Sequence, residues 1–163
     1  MTHDPLDTRK AILLRAIQIE ARNGAIYDSL AQLFQGYDDS VTGLFREMAD
    51  EERQHGAVLE ERYRSRFGPV PSPVAEPKEV IEAPDLDDAE ALVFDSMTIE
   101  QGLTTGLRTE EAAREFYRLE ASRSSDPELE AVYRELAEFE ETHVRLLNEK
   151  LLQRRSAGGG AAR

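Results

Sequence analysis

"PVPSPVAEPKEVIEAPDLDD", residues Pro69 to Asp88, is the stretch on which the architecture turns. It carries five of the seven prolines in the chain. Proline has no amide hydrogen and a fixed φ, so the stretch reads as an extended connection, not a helix. Helical patterns lie on both sides of it. Helix 1 runs roughly from Asp7 to Gln35 and stops at Gly36. Helix 2 begins after "DDS", with Ser40 as the expected N-cap, and ends at "FGP", Phe67 to Pro69, a glycine–proline stop. Helix 3 runs from about Asp87 to Ala121. Next, "SSDPE" places Asp126 as a cap and Pro127 at the first helical position, and helix 4 continues to about Gln153. The connections are thus short, long, short. Short links join antiparallel neighbours, and the long one returns the chain along the bundle. The expectation is an all-α protein: a four-helix bundle with one long crossover between helices 2 and 3. The bundle occupies residues 1–155, and the tail "SAGGGAAR", 156–163, is expected to be flexible.

Composition agrees with this and excludes several functions. The 163 residues suffice for one domain with a real core. Forty per cent are hydrophobic and 33% charged, with much Ala, Leu, Glu and Arg, which favour helix. A net charge of −13 argues against a nucleic-acid partner. The absence of cysteine removes disulfides, thiol catalysis, Fe–S clusters and any rubredoxin-type iron site. The start, "MTHDPLDTRK", has no apolar core of a signal peptide, and no apolar run reaches membrane-spanning length. A cytoplasmic protein with no membrane partner is expected.

Alternating steps of three and four along each helix trace its inward seam. Helix 1 gives Leu13, Ile17, Glu20, Gly24, Tyr27, Ala31 and Phe34. Helix 2 gives Val41, Phe45, Met48, Glu52, His55 and Leu59. Helix 3 gives Ile99, Leu103, Gly106, Glu110, Ala113 and Tyr117, and helix 4 gives Leu129, Tyr133, Leu136, Glu140, His143 and Leu147. Each seam is apolar or small except near its middle. There helices 1 and 3 supply one Glu each, and helices 2 and 4 supply a Glu-x-x-His each. Glu110 and Glu140 lie about fourteen residues, roughly 21 Å, from the turn between their helices. Glu20 and Glu52 lie at about the same mean distance from theirs. The chain also repeats itself: "IEARNGAIY" (Ile19–Tyr27) resembles "TEEAAREFY" (Thr109–Tyr117), and each precedes its own Glu-x-x-His, so two hairpins related by a pseudo-twofold are expected.

Unpaired buried carboxylates are very unfavourable, so four at one depth call for cations. Four negative charges match two divalent ions, and Glu at i with His at i+3 reaches one metal from one helix face. Oxygen donors with two imidazoles suit iron or manganese. A single Glu-x-x-His in a Glu-rich chain has little weight, but two on seams with two further seam Glu residues form a specific set. Tyr27 and Tyr117 are either core tyrosines with bonded hydroxyls or residues that reach the site. Met48 is expected in the core and His3 in a loose terminus. Asp50, Glu51, Glu111 and Glu141 are solvated-face acids, one of which can orient a ligand His.

These motifs ("IEARNGAIY", "EERQH", "EEAAREFY" and "EETH") resemble the ferritin-like superfamily of non-haem di-iron carboxylate proteins, and within it the rubrerythrin-like (erythrin) branch. The resemblance covers residues 8 to 152. It implies two irons, with Glu20 and His55 on one, Glu110 and His143 on the other, and Glu52 and Glu140 bridging. It implies an oxidoreductase that reduces hydrogen peroxide or O2, with a ferroxidase or iron-storage protein as the alternative, and it implies a homodimer. This sequence also departs from the family. It has no cysteine, so a separate electron donor protein is expected. The place of a further Glu one turn after the helix-3 ligand is taken by Ala113, with Asn23 as its helix-1 counterpart. Arg53 stands where a haem-ligating Met would follow the helix-2 Glu, so no haem is expected. No fifth helix is expected after helix 4.

Overall fold

The computed structural model describes residues 5–72 and 98–158. Within them are four helices and no strand: α1 (Pro5–Phe34), α2 (Asp39–Phe67), α3 (Ile99–Arg123) and α4 (Pro127–Gly158). The first hairpin turns through Gly36, whose φ of 84° lies in the left-handed region where only glycine is free of strain. Asp38, not Ser40, is the N-cap of α2: its carboxylate accepts from the Val41 amide at 3.0 Å. A cap oxygen reaches the amide three residues on, and a helix that starts at Asp39 puts Val41 in that place. Ser40 lies inside the first turn and accepts from Lys150 instead.

Two other boundaries differ from expectation. Thr98 and Gln101 form a reciprocal capping box, with the Gln101 amide on the Thr98 hydroxyl at 3.2 Å and the Thr98 amide on the Gln101 side chain at 2.8 Å. Thr98 has extended backbone, so α3 starts at Ile99 and is not one continuous helix from Asp87; residues 87–97 lie outside the described residues. Asp126 caps α4 as expected, accepting from the amides of Glu128 and Leu129 at 3.0 and 3.2 Å. That helix runs on to Gly158, past the expected start of the tail at Ser156. Leu151 is buried and Arg154 reaches Asp38 at 2.6 Å, so two side chains hold its last turns onto the bundle.

Contacts fix the direction of every helix. Along the α1–α3 interface Phe34 faces Gly102, Tyr27 bonds Glu110, and Tyr117 bonds Glu20, so the two run antiparallel. Along α2–α4, Arg154 pairs with Asp38 at one end, and Arg66 pairs with Asp126 at the other. With two antiparallel hairpins, α2 and α3 must run parallel. The chain leaves Phe67 at one end of the bundle and enters Ile99 at the other, a return of about 43 Å for a helix of this length. This is the ferritin-like four-helix bundle with its long crossover.

The core is divided. One apolar cluster, including Leu13, Leu59, Tyr63, Phe116, Leu129 and Tyr133, fills the end near Asp126. A second, including Leu30, Phe34, Phe45, Met48, Leu103 and Leu147, fills the end near Asp38. Each such side chain contributes about 1.5–3 kcal/mol on burial. These two clusters hold the helices in register, and the polar seam residues lie between them.

Candidate metal centre

All six seam acids and imidazoles are buried. Glu20, Glu52, Glu110 and Glu140 have no solvent exposure, and His143 and His55 retain 2% and 9%. Their donor atoms form two overlapping groups. Glu20, Glu52, His55 and Glu140 make one, and Glu52, Glu110, Glu140 and His143 make the other. Within each group the donor atoms lie within 4.8 Å of one another. Glu52 and Glu140 belong to both, and each remaining Glu stands with the His of the other helix in its own hairpin. The imidazoles stack across the pseudo-twofold with ring centroids 6.3 Å apart.

The two tyrosines join the halves. Tyr27 on α1 donates to Glu110 on α3, and Tyr117 on α3 donates to Glu20 on α1. Tyr27 also lies across the backbone of Gly106, whose carbonyl is 3.2 Å from its hydroxyl. A Cβ at Gly106 would come within 3.2 Å of the Tyr27 ring, so the small residue there leaves room for the phenol. Both phenols are pushed well above the usual tyrosine range, first by burial and then by the adjacent carboxylates, so they stay protonated as donors.

Charge is distributed unevenly. Burial, then the neighbouring carboxylates, holds Glu52 and Glu140 well above the carboxylate range, although His143 works against this for both. Burial also pushes Glu110 up, but the neighbouring Glu140 and His143 and the Tyr27 hydroxyl bonded to it outweigh that and leave it below its ordinary value. Burial disfavours the His143 imidazolium, yet the facing carboxylates of Glu110, Glu140 and Glu52 outweigh it and raise its pKa.

The donor atoms provide the test of fit. Glu20 Oε2, both oxygens of Glu52 and of Glu140, Glu110 Oε2 and the Nδ1 atoms of His55 and His143 are buried with no hydrogen-bond partner. Native interiors rarely leave buried polar atoms unpartnered, and here they converge on one place. Hard oxygens with two imidazoles suit divalent iron or manganese. The residues present fit a metal pair.

The other residues singled out in the sequence are also placed. Glu51 is the flanking acid that reaches a histidine: its carboxylate lies 2.6 Å from His143 Nε2. Asp50 pairs with Arg53 at 2.5 Å, and Glu141 lies 3.0 Å from both Arg114 and Arg118, all at the surface side of the helices. Arg53 also reaches Asp28 at 2.7 Å and points away from the site. Asn23 is buried with an unpartnered amide nitrogen, and Ala113 is buried. A Cβ on Gly24 would meet that of Glu52 at 3.5 Å, an ordinary contact, so this glycine is not sterically required. His3 lies outside the described residues. Seam reading did not anticipate Phe139, whose ring sits 4.8 Å from that of His55. It occupies an off-seam position, 45% exposed, and nothing in the periodicity marks it.

Comparison with known proteins agrees with the fold and the cluster. A sequence profile for the rubrerythrin family matches residues 11–99. No protein in a search of curated sequences matches this one. Among solved structures, the chain is similar to an uncharacterized conserved protein from Magnetospirillum magnetotacticum. The TM-score is 0.67 at 25% identity, over 87% of this chain and 92% of that one. It is also similar to a hypothetical protein from Pyrococcus furiosus, with a TM-score of 0.67 at 24% identity over 87% of each chain. No helix among the described residues is long and apolar enough to cross a membrane. The buried Glu/His cluster and the family match together fit a di-iron protein. The chain belongs to the rubrerythrin family.

Proposed function

We propose that this protein is a di-iron oxidoreductase that reduces hydrogen peroxide, taking electrons from a separate donor protein. The observation that carries the reading is the convergence of unpartnered donor atoms from six buried side chains into two groups that share Glu52 and Glu140. In this reading Glu20 and His55 would hold one iron and Glu110 and His143 the other, with Glu52 and Glu140 belonging to both donor groups. Bound there, the iron pair supplies the two electrons that, with two protons, convert hydrogen peroxide to two waters.

The chain's own residues prepare the site for this. Tyr27 and Tyr117 fix the orientation of Glu110 and Glu20 and leave one oxygen of each carboxylate free to bind metal. The apolar clusters above and below exclude water along the bundle axis. Their low polarity strengthens every charge interaction inside. Electrons come from outside because the chain has no cysteine with which to hold its own Fe–S or rubredoxin-type centre.

The test is a stopped-flow comparison on anaerobically prepared di-ferrous protein. Oxidation by hydrogen peroxide is expected to be much faster than oxidation by O2. Faster oxidation by O2, with continued turnover of added Fe(II), contradicts the peroxidase reading and assigns a ferroxidase.

A further inference from the structure

The pseudo-twofold that relates the two hairpins does not extend to the groups that face the two imidazoles. The offset that carries Glu52 to Glu140 and His55 to His143 carries Glu51 to Phe139. His143 therefore has a carboxylate at its outer nitrogen, 2.6 Å from Glu51. His55 has a phenyl ring against its face, with centroids 4.8 Å apart and planes inclined by 43°.

The two imidazoles are consequently held in different ways. The Glu51 carboxylate anchors His143 through Nε2 and leaves its Nδ1 turned inward, with no hydrogen-bond partner. That Nδ1 faces Glu52 at 3.3 Å and Glu110 and Glu140 at 3.6 Å each. His55 Nδ1 faces Glu20 at 3.3 Å. At His55 the position equivalent to Glu51 is Phe139, which offers ring packing in place of a carboxylate. Holding the tautomer and raising the basicity of a ligating histidine commonly alters metal affinity by about 10–100-fold.

We infer that Glu51 is a positioning residue that makes the two metal positions unequal: the ion held by His143 and Glu110 binds tightly, and the ion held by His55 and Glu20 binds weakly and exchanges first. This rests on the di-metal reading above and deepens it. The weak position is also the one beside Phe139, which is 45% exposed.

Anaerobic titration of the full metal-free chain with Co(II), followed by calorimetry and by the visible absorption of the bound ion, tests this. The wild type is expected to fill in two steps whose affinities differ by roughly tenfold or more. Glu51→Ala weakens the tight step by roughly tenfold or more and leaves the weak step in place. Phe139→Glu puts a carboxylate in the equivalent position on His55 and tightens the weak step, so the two steps converge. Both substitutions are at exposed side chains and leave the core intact. Two equal steps in the wild type, or Glu51→Ala weakening both steps alike or neither, overturns the inference while the di-metal reading stands. A wild type that binds no metal overturns both.

Discussion

At the scale of single residues, the tyrosine–glutamate pairs are the most informative feature. Each phenol donates to a fully buried carboxylate on the opposite hairpin. Removing the hydroxyl leaves that carboxylate without its donor and strips the site of its orientation. Tyr27→Phe and Tyr117→Phe are each expected to destabilise the metal-free protein by about 1–3 kcal/mol in denaturant unfolding. A change below a few tenths of a kcal/mol would mean the bonds contribute nothing net. The seams placed Glu20, Glu52, His55, Glu110, Glu140 and His143 on inward faces, and all six are buried together. The seams did not say which partner each side chain meets. Periodicity assigns a face of a helix; it does not assign the residue across from it. For that reason the roles of Tyr27 and Tyr117 were open between core and site, and the different neighbours of His143 and His55 were invisible.

At the scale of elements, caps decide the boundaries, and local sequence offered more than one candidate. "DDS" holds three residues able to cap, and the register of the following amides selects Asp38. The start of α4 had one good candidate, and Asp126 fills it. This residue does more than cap. It pairs with Arg66 at 2.5 Å and lies 3.8 Å from Arg9, so it ties the ends of α1 and α2 to the start of α4. Arg66 bonded to it, against a smaller opposing effect of burial, holds its pKa down to about 2. The sign follows from that depression: the stabilisation is present above the ordinary aspartate range and is lost as pH falls through about 2. Asp126→Ala is expected to lower stability at neutral pH by about 1–2 kcal/mol, mostly through the lost cap. The difference from wild type should disappear in acid. A difference that persists unchanged below that range would refute the assignment. The end of α4 was not legible, because its last turns are held by Leu151 and by Arg154 on Asp38, contacts between distant parts of the chain.

At the scale of the whole molecule, the fold is a compromise between core stability and a charged centre. The long proline-rich link announced the crossover, and the internal repeat announced the pseudo-twofold; both features lie in sequence order and need no knowledge of contacts. The centre itself makes the metal-free protein sensitive to pH. Glu52, Glu140 and His143 all bind protons more tightly when folded than when unfolded. Above the ordinary carboxylate range the folded state therefore holds more protons than the unfolded state, and stability falls as pH rises. Thermal unfolding of the metal-free protein should show a falling melting temperature from about pH 5 to about pH 9. Divalent metal should displace those protons, raise the melting temperature, and do so more strongly at the alkaline end. A metal-free protein that grows more stable with rising pH would contradict this charge distribution.

The central claim is that six side chains, four Glu and two His, hold two metal ions between the helices. Its most direct test is the iron content per chain after anaerobic Fe(II) loading and desalting, in the wild type and in the double variant Glu52→Ala/Glu140→Ala, which removes the two shared ligands. About two irons per wild-type chain and almost none in the variant are expected, with both proteins still helical by circular dichroism. A folded wild type that retains no iron, or a variant that retains as much as the wild type, would contradict it.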